Sequence, residues 1–318
     1  MTKKVHIAGI LFATIFGFSF MFSKVALTHV SPIGLIAYRF LIAFVVFEGF
    51  RRLKWVTIRF EKRHFQSLFW VALFQPILYF LFETFGLSLT TSGEAGMMIA
   101  LIPIFVTLLS GVFLKERPNL YQFLCIILSV SGVLWIQFMK SNAGITFEWL
   151  GFTLLLMAVL SAALFNIASR KASQTLTPFE ITYFMMAFGA VTFNAIYLFQ
   201  LALQDNLLMY LTLLGNVEMV FPILYLGIIA SIGGFLLVNY ALSKAPAHIT
   251  SIYANLSTLV AVMAGAVLLR ERLEYYHLIG SFMIVSGVYG TIRFKGFTLS
   301  RGFANQRKKD HYEPSNVS

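Results

Sequence analysis

The stretch Gly93–Leu134, GEAGMMIALIPIFVTLLSGVFLKERPNLYQFLCIILSVSGVL, decides how this chain folds. It reads as an apolar run from Glu94 to Leu114, a charged turn Lys115-Glu116-Arg117, and a second apolar run through Val130-Ser131-Gly132-Val133. Shifted by 155 positions, the chain repeats it without a gap. Leu101, Val112, Leu114, Glu116, Arg117, Tyr121, Val130, Ser131, Gly132 and Val133 fall on Leu256, Val267, Leu269, Glu271, Arg272, Tyr276, Val285, Ser286, Gly287 and Val288, and Lys115 falls on Arg270. Earlier positions echo at a shift of 146, where Lys24 falls on Arg170 and Ser31-Pro32 on Thr177-Pro178. The chain is two copies of one unit, and a longer loop before the eighth apolar run absorbs the difference in shift.

Working outward, 58% of the 318 residues are hydrophobic and 12% charged, with a mean hydropathy of +0.81. A soluble domain carries a charged fraction of about 25%. So much apolar surface has to face lipid, and the long runs without period-two alternation are helices rather than barrel strands. Ten spans are expected, at about 5–27, 33–50, 67–89, 95–114, 119–139, 149–169, 179–200, 221–243, 248–269 and 275–293, each near the ~20 residues that a bilayer core demands. Lys3 and Lys4 ahead of the first run mimic a signal peptide, but without a small-residue cleavage site the run reads as a retained span. The units occupy 1–140 and 141–296, five spans each, and 297–318 is a basic tail.

The net charge of +11 comes from basic residues that border spans, which fits anionic lipid and topology and argues against nucleic acid. With both termini in the cytoplasm, Lys3, Lys4, the cluster Arg51–Arg63, Lys115, Arg117, Arg170, Lys171 and the tail all lie on that side. Only Lys140, Arg270 and Arg272 fall in outer loops. An odd number of spans per unit inserts the second copy upside down, so Lys115-Glu116-Arg117 faces inward and Arg270-Glu271-Arg272 outward. Inverted copies related by an axis in the membrane plane can exchange conformations around a midplane site, which is the logic of a secondary transporter.

Two five-span units, each with a Glu-Arg turn and a final span carrying Ser-Gly-Val, resemble the EamA domains of the drug/metabolite transporter superfamily. Gly17 to Lys24, answered by Ala163 to Arg170, and Pro103 in the fourth span belong to the same resemblance. It implies a ten-helix, all-α integral membrane transporter built as two inverted repeats. It also implies export of amino acids, other metabolites or drugs, through a cavity lined mainly by spans 1, 3, 4, 6, 8 and 9. It points to a bacterial plasma membrane. Thr258 stands where Pro103 predicts a proline, so span 9 is expected to bend less than span 4.

Polar groups in hydrocarbon face a cavity or each other. Span 3 carries Gln75, Tyr79 and Glu83 on one stripe, kinked by Pro76. Span 9 carries His248, Ser251, Asn255 and Thr258 on one face. Asn166 and Asn239 lie on spans expected to line the cavity, whereas Asn194 in span 7 reads as a packing contact. The alternative for all of them is interhelical hydrogen bonding, worth only ~0.6 kcal/mol per pair. Lys24, Arg39, Glu83 and Glu94 share the outer half of the first unit, where they could neutralise one another as a gate. In the sharper reading Glu83 takes a substrate amine or a coupling proton, as a carboxylate in a low-dielectric site can. Glu116 is expected to open span 5 and complement its helix dipole. Gly280 and Gly287 in span 10 mark close helix packing.

Enzyme motifs such as H-E-x-x-H, G-x-S-x-G and the phosphate loop are missing, and the two aspartates, Asp205 and Asp310, lie outside the spans. Neither a cofactor nor a metal is expected. The expected partners are a small-molecule substrate and the lipid bilayer, with a homodimer left open. Amino acids come first as substrates, then cationic or aromatic drugs, then nucleotide sugars or sugar phosphates. A membrane scaffold or sensor without transport is the competing class.

Overall fold

The computed structural model describes residues 3–89, 98–140, 149–212, 217–268 and 274–294. Within them the chain is helical, and each predicted span has a counterpart. These are α1 (Lys3–Leu27), α2 (Pro32–Arg52), α3 (Phe65–Ala72, continued by Leu73–Leu78 and Tyr79–Leu89), α4 (Ile102–Phe113), α5 (Leu120–Lys140), α6 (Trp149–Ala172) and α7 (Pro178–Leu203). The last three are α8 (Val217–Leu224, Tyr225–Gly234 and Phe235–Lys244), α9 (Ala247–Ser251 and Ala254–Leu268) and α10 (Tyr275–Arg293). Six of them, α1, α2, α3, α6, α7 and α8, are long and apolar enough to cross a membrane, and the described parts of α4 and α5 are shorter apolar helices.

The repeat is visible in the local chemistry. Ser31 caps α2, its side chain accepting from the Gly34 amide, with Pro32 in the first turn. Thr177 caps α7 in the same way, accepting from the Glu180 amide, with Pro178 in the first turn. Each pairing satisfies an orphan donor at a helix start, and the proline gives up no hydrogen bond there. The middle of α3 widens to a π turn at Leu73–Leu78, and α8 does the same at Tyr225–Gly234. In α3 the cause is Pro76, which leaves Gln75 in an extended conformation (φ −152°, ψ 120°) inside the helix. In α8 the position equivalent to Pro76 is Ser231. Both α4 and α9 tighten to three-residue hydrogen bonds near their starts at equivalent positions, Leu101 N to Met98 O and Leu256 N to Tyr253 O. The same tightened turn is present in both copies, although α4 carries Pro103 where α9 has Thr258.

Helix pairing follows the two-fold relation. The helices α2 and α7 pack together, as do α5 and α10, each pair joining equivalent members of the two copies. The contact of α1 with α9 is matched by α6 with α4, and that of α3 with α6 by α8 with α1. The α5–α10 seam is close because it is built of small residues. A Cβ added at Gly280 would meet the Gly132 carbonyl at 2.7 Å, and one at Gly287 would meet the Cys125 carbonyl at 2.5 Å. Its end is tied by polar bonds, Asn119 Nδ2 to the Phe294 carbonyl (2.7 Å) and Gln122 Nε2 to the Thr291 carbonyl (3.0 Å).

Gly287→Leu is expected to force α5 and α10 apart. The neighbouring atoms are backbone and cannot step aside, so the cost is expected to be about 1–3 kcal/mol. A lowered unfolding midpoint in detergent would show it, and an unchanged midpoint would mean that the seam is looser than described.

Candidate functional site

Two of the four charges that sequence reasoning singled out, Arg39 and Glu83, lie where α2, α3 and α8 come together. Arg39 lies in the first half of α2 and is only 8% exposed. Its Nε donates to Ser231 Oγ at 2.7 Å, and Ser231 Oγ donates to the Leu226 carbonyl within the π turn of α8. The guanidinium carbon sits 5.0 Å from the centre of the Phe80 ring and 5.9 Å from that of Phe40. A desolvated cation over an aromatic face gains up to about 2 kcal/mol, part of what removal from water costs it.

On the facing stripe of α3, Tyr79 Oη donates to Glu83 Oε1 at 3.3 Å. Gln75 begins the stripe, buried at the kink beside Pro76. Arg39 and Glu83 each hydrogen-bond to a neutral partner, Ser231 and Tyr79 respectively. The expected four-charge cluster is thus two held charges in the described residues. The Lys24 side chain and Glu94 lie outside them. Ser231 was missed by sequence reasoning, although its equivalence to Pro76 in the repeat was a usable signal.

The remaining candidates separate. Asn239, fully buried, accepts from Ser169 Oγ (2.7 Å) and donates to Thr182 Oγ1 (2.9 Å) and Met185 Sδ (3.6 Å). It pins α6, α7 and α8 together, and its amide is used up there. Asn166 donates to the Ala162 carbonyl of its own helix (2.8 Å). Asn239 thus makes the interhelical bonds that were the alternative to a cavity-facing role, and Asn166 bonds within its own helix. Asn194 is the packing contact expected, bonded to the carbonyls of Ala37 and Ala190 and to Tyr210 Oη. On α9, Ser251 Oγ donates to the His248 carbonyl (3.2 Å), Asn255 Nδ2 reaches Ser129 Oγ on α5 (3.2 Å), and Thr258 is half-buried. His248 is buried in the first turn.

Glu116 does something other than cap α5, which begins only at Leu120. Its Oε1 accepts from Arg170 Nε at 2.9 Å and its Oε2 from the Ala247 amide, also at 2.9 Å. The helix start that its charge complements is that of α9, on the other repeat.

Comparison with known proteins agrees with this architecture. The model of the EamA-like transporter family matches residues 3–138 and again 149–293. An uncharacterized transporter of Bacillus subtilis, YcxC, is 37% identical over 286 residues, covering 90% of this chain and 92% of that one. A "probable amino-acid metabolite efflux pump" of Escherichia coli is 24% identical over 291 residues, covering 91% and 95%. A crystal structure of a protein 15% identical shares the fold with a TM-score of 0.74, covering 93% of this chain and 100% of that one.

Asn239→Ala removes three side-chain bonds between helices, and at ~0.6 kcal/mol each it is expected to cost about 2 kcal/mol of stability. Asn166→Ala, which frees only a bond to its own helix, is expected to cost less. Unfolding midpoints of the two variants in one detergent check the order.

Proposed function

The chain belongs to the EamA-like transporter family, a family of membrane transporters and not of enzymes, and from that premise we propose that it exports small zwitterionic metabolites, amino acids first, by alternating access. The supporting observation is the pair of opposite charges that α2 and α3 carry on neighbouring faces. Arg39 is held by Ser231 and two aromatic rings, and Glu83 by Tyr79, on neighbouring helices. Because each is anchored by a neutral group, each keeps capacity for a charge of the opposite sign brought in by a substrate. A carboxylate suits the fork of a guanidinium, and an amine suits a carboxylate. Two charges that would be costly in hydrocarbon are thereby given a use.

The relative named as an amino-acid metabolite efflux pump supports this substrate class at a distance. Transport without any phosphate loop runs on a gradient or by exchange, and Glu83 is the group proposed to carry the coupling proton. In this reading the end bearing Arg51–Arg63 and the Glu116 turn is cytoplasmic, since it carries the excess of Lys and Arg.

Proteoliposomes loaded with a labelled amino-acid pool are expected to lose particular amino acids faster than empty-membrane controls, and faster still under an imposed pH gradient. Glutamine cannot exchange a proton, so Glu83→Gln is expected to keep its expression level but to lose the response to the gradient. Wild-type pH sensitivity in that variant would sink the coupling role, and no amino-acid flux in the parent would sink the substrate class.

A further inference from the structure

The turn between α4 and α5 is bound to the opposite repeat by bonds that the binding of substrate does not require. Glu116 is fixed first by its own backbone: its amide donates to the Ser110 carbonyl (3.1 Å) and its carbonyl accepts from Ser110 Oγ (3.2 Å). From that anchored turn the carboxylate reaches two helices at once. One oxygen takes Arg170 near the end of α6, and the other takes Ala247 at the start of α9. Arg170 then continues the chain of bonds, Nη1 donating to the Leu242 carbonyl near the end of α8 at 2.7 Å. Both partners are largely withdrawn from solvent, with side-chain exposures of 24% for Arg170 and 19% for Glu116.

One carboxylate thus draws together the ends of α4, α6, α8 and α9. The turn belongs to the first repeat, and Arg170, Ala247 and Leu242 all belong to the second. A conformational exchange between inverted repeats has to move these ends relative to one another. They cannot separate while Glu116 holds both Arg170 and the α9 start.

We propose that Glu116 and Arg170 form the clasp that shuts this end of the transporter, and that its release is the step that opens the bundle there. They are positioning residues: they touch no substrate, and they set which end is open. The chemistry suits a reversible clasp. A charge-assisted pair of this exposure is strong enough to bias two states but weak enough to break, because water reaches it once the ends part. The two arms differ in kind. The arm to Ala247 adds helix-dipole attraction, whereas the arm to Arg170 depends on a planar fork that serves two acceptors together.

The proposal rests on alternating access but on no particular substrate, and its test needs none. Arg117 and Lys171 are exposed beside the clasp, on its two sides. Spin labels are placed at Arg117→Cys and Lys171→Cys in a Cys125→Ala background, in lipid nanodiscs, and the distance distribution is read by double electron–electron resonance. The parent is expected to show a single short population. Glu116→Gln is expected to add a longer one, and Arg170→Lys, which keeps the charge but loses the fork, an intermediate share. If Glu116→Gln does not yield folded protein, Arg170→Lys carries the test by the same readout. Distributions unchanged from the parent would overturn the clasp. Absence of amino-acid flux in the parent with the distances behaving as expected would instead count against the substrate class, so the two failures are distinguishable.

Discussion

Each half of this protein has to bury its surfaces against an upside-down copy of itself, in a solvent that offers no hydrogen bonds. That constraint explains more of the structure than any single contact. A surface that meets its own equivalent across the axis must be self-complementary, and the simplest solution is smallness. The α5–α10 seam is built that way, with Gly132 and Gly280 facing each other's backbone. Surfaces that meet non-equivalent partners come in matched sets, α1 with α9 and α6 with α4. The absence of water leaves the polar groups to be satisfied from within. Asn239, Asn194 and Gln122 are satisfied by neighbouring helices, and Arg39 by a hydroxyl and two rings.

Symmetry is also where function departs from architecture. Duplication explains the caps at Ser31 and Thr177 and the paired π turns. It does not explain Arg39 or Glu83, whose equivalents are Met185 and Val238. A charge that one copy has and the other lacks was not needed to hold the fold, and the observed bonds place these charges at a junction of three helices. At Ser231 the second copy replaces a proline with a hydroxyl and gains a partner for Arg39, while the local widening of the helix survives. Widened turns of this type recur at functional sites because they break the register of a helix without ending it.

Most of the architecture was legible in the sequence because hydropathy and repeat spacing are one-dimensional signals. The ten spans and the small-residue seam followed from them, and the echo of Ser31-Pro32 in Thr177-Pro178 marked the two helix starts that the structure caps alike. What escaped depends on distances between segments far apart in the chain. Asn166 and Asn239 looked alike as buried amides, but one serves its own helix and the other staples three. Glu116 looked like a cap for the helix that follows it, yet the turn geometry carries its carboxylate to Ala247, 131 positions away. The tightened turn shared by α4 and α9 was not foreseen, because three-residue hydrogen bonding arises in α9 without the proline that α4 carries. Arg39 and Glu83 were recognised as unusual from depth alone, but their neutral anchors were not foreseeable.

The pair α5 and α10 packs chiefly on itself and presents large apolar side chains outward, among them Leu120, Leu278 and Phe282. In mechanical terms it is a stator. Its inner seam leaves no room for sliding, its polar ties at one end fix the register, and its exposed outer face is apolar, as a lipid-facing surface has to be. The remaining helices can rock against something that does not rock with them. Bilayer thickness and lateral tension would therefore enter the transport cycle through this pair, as a load on the frame.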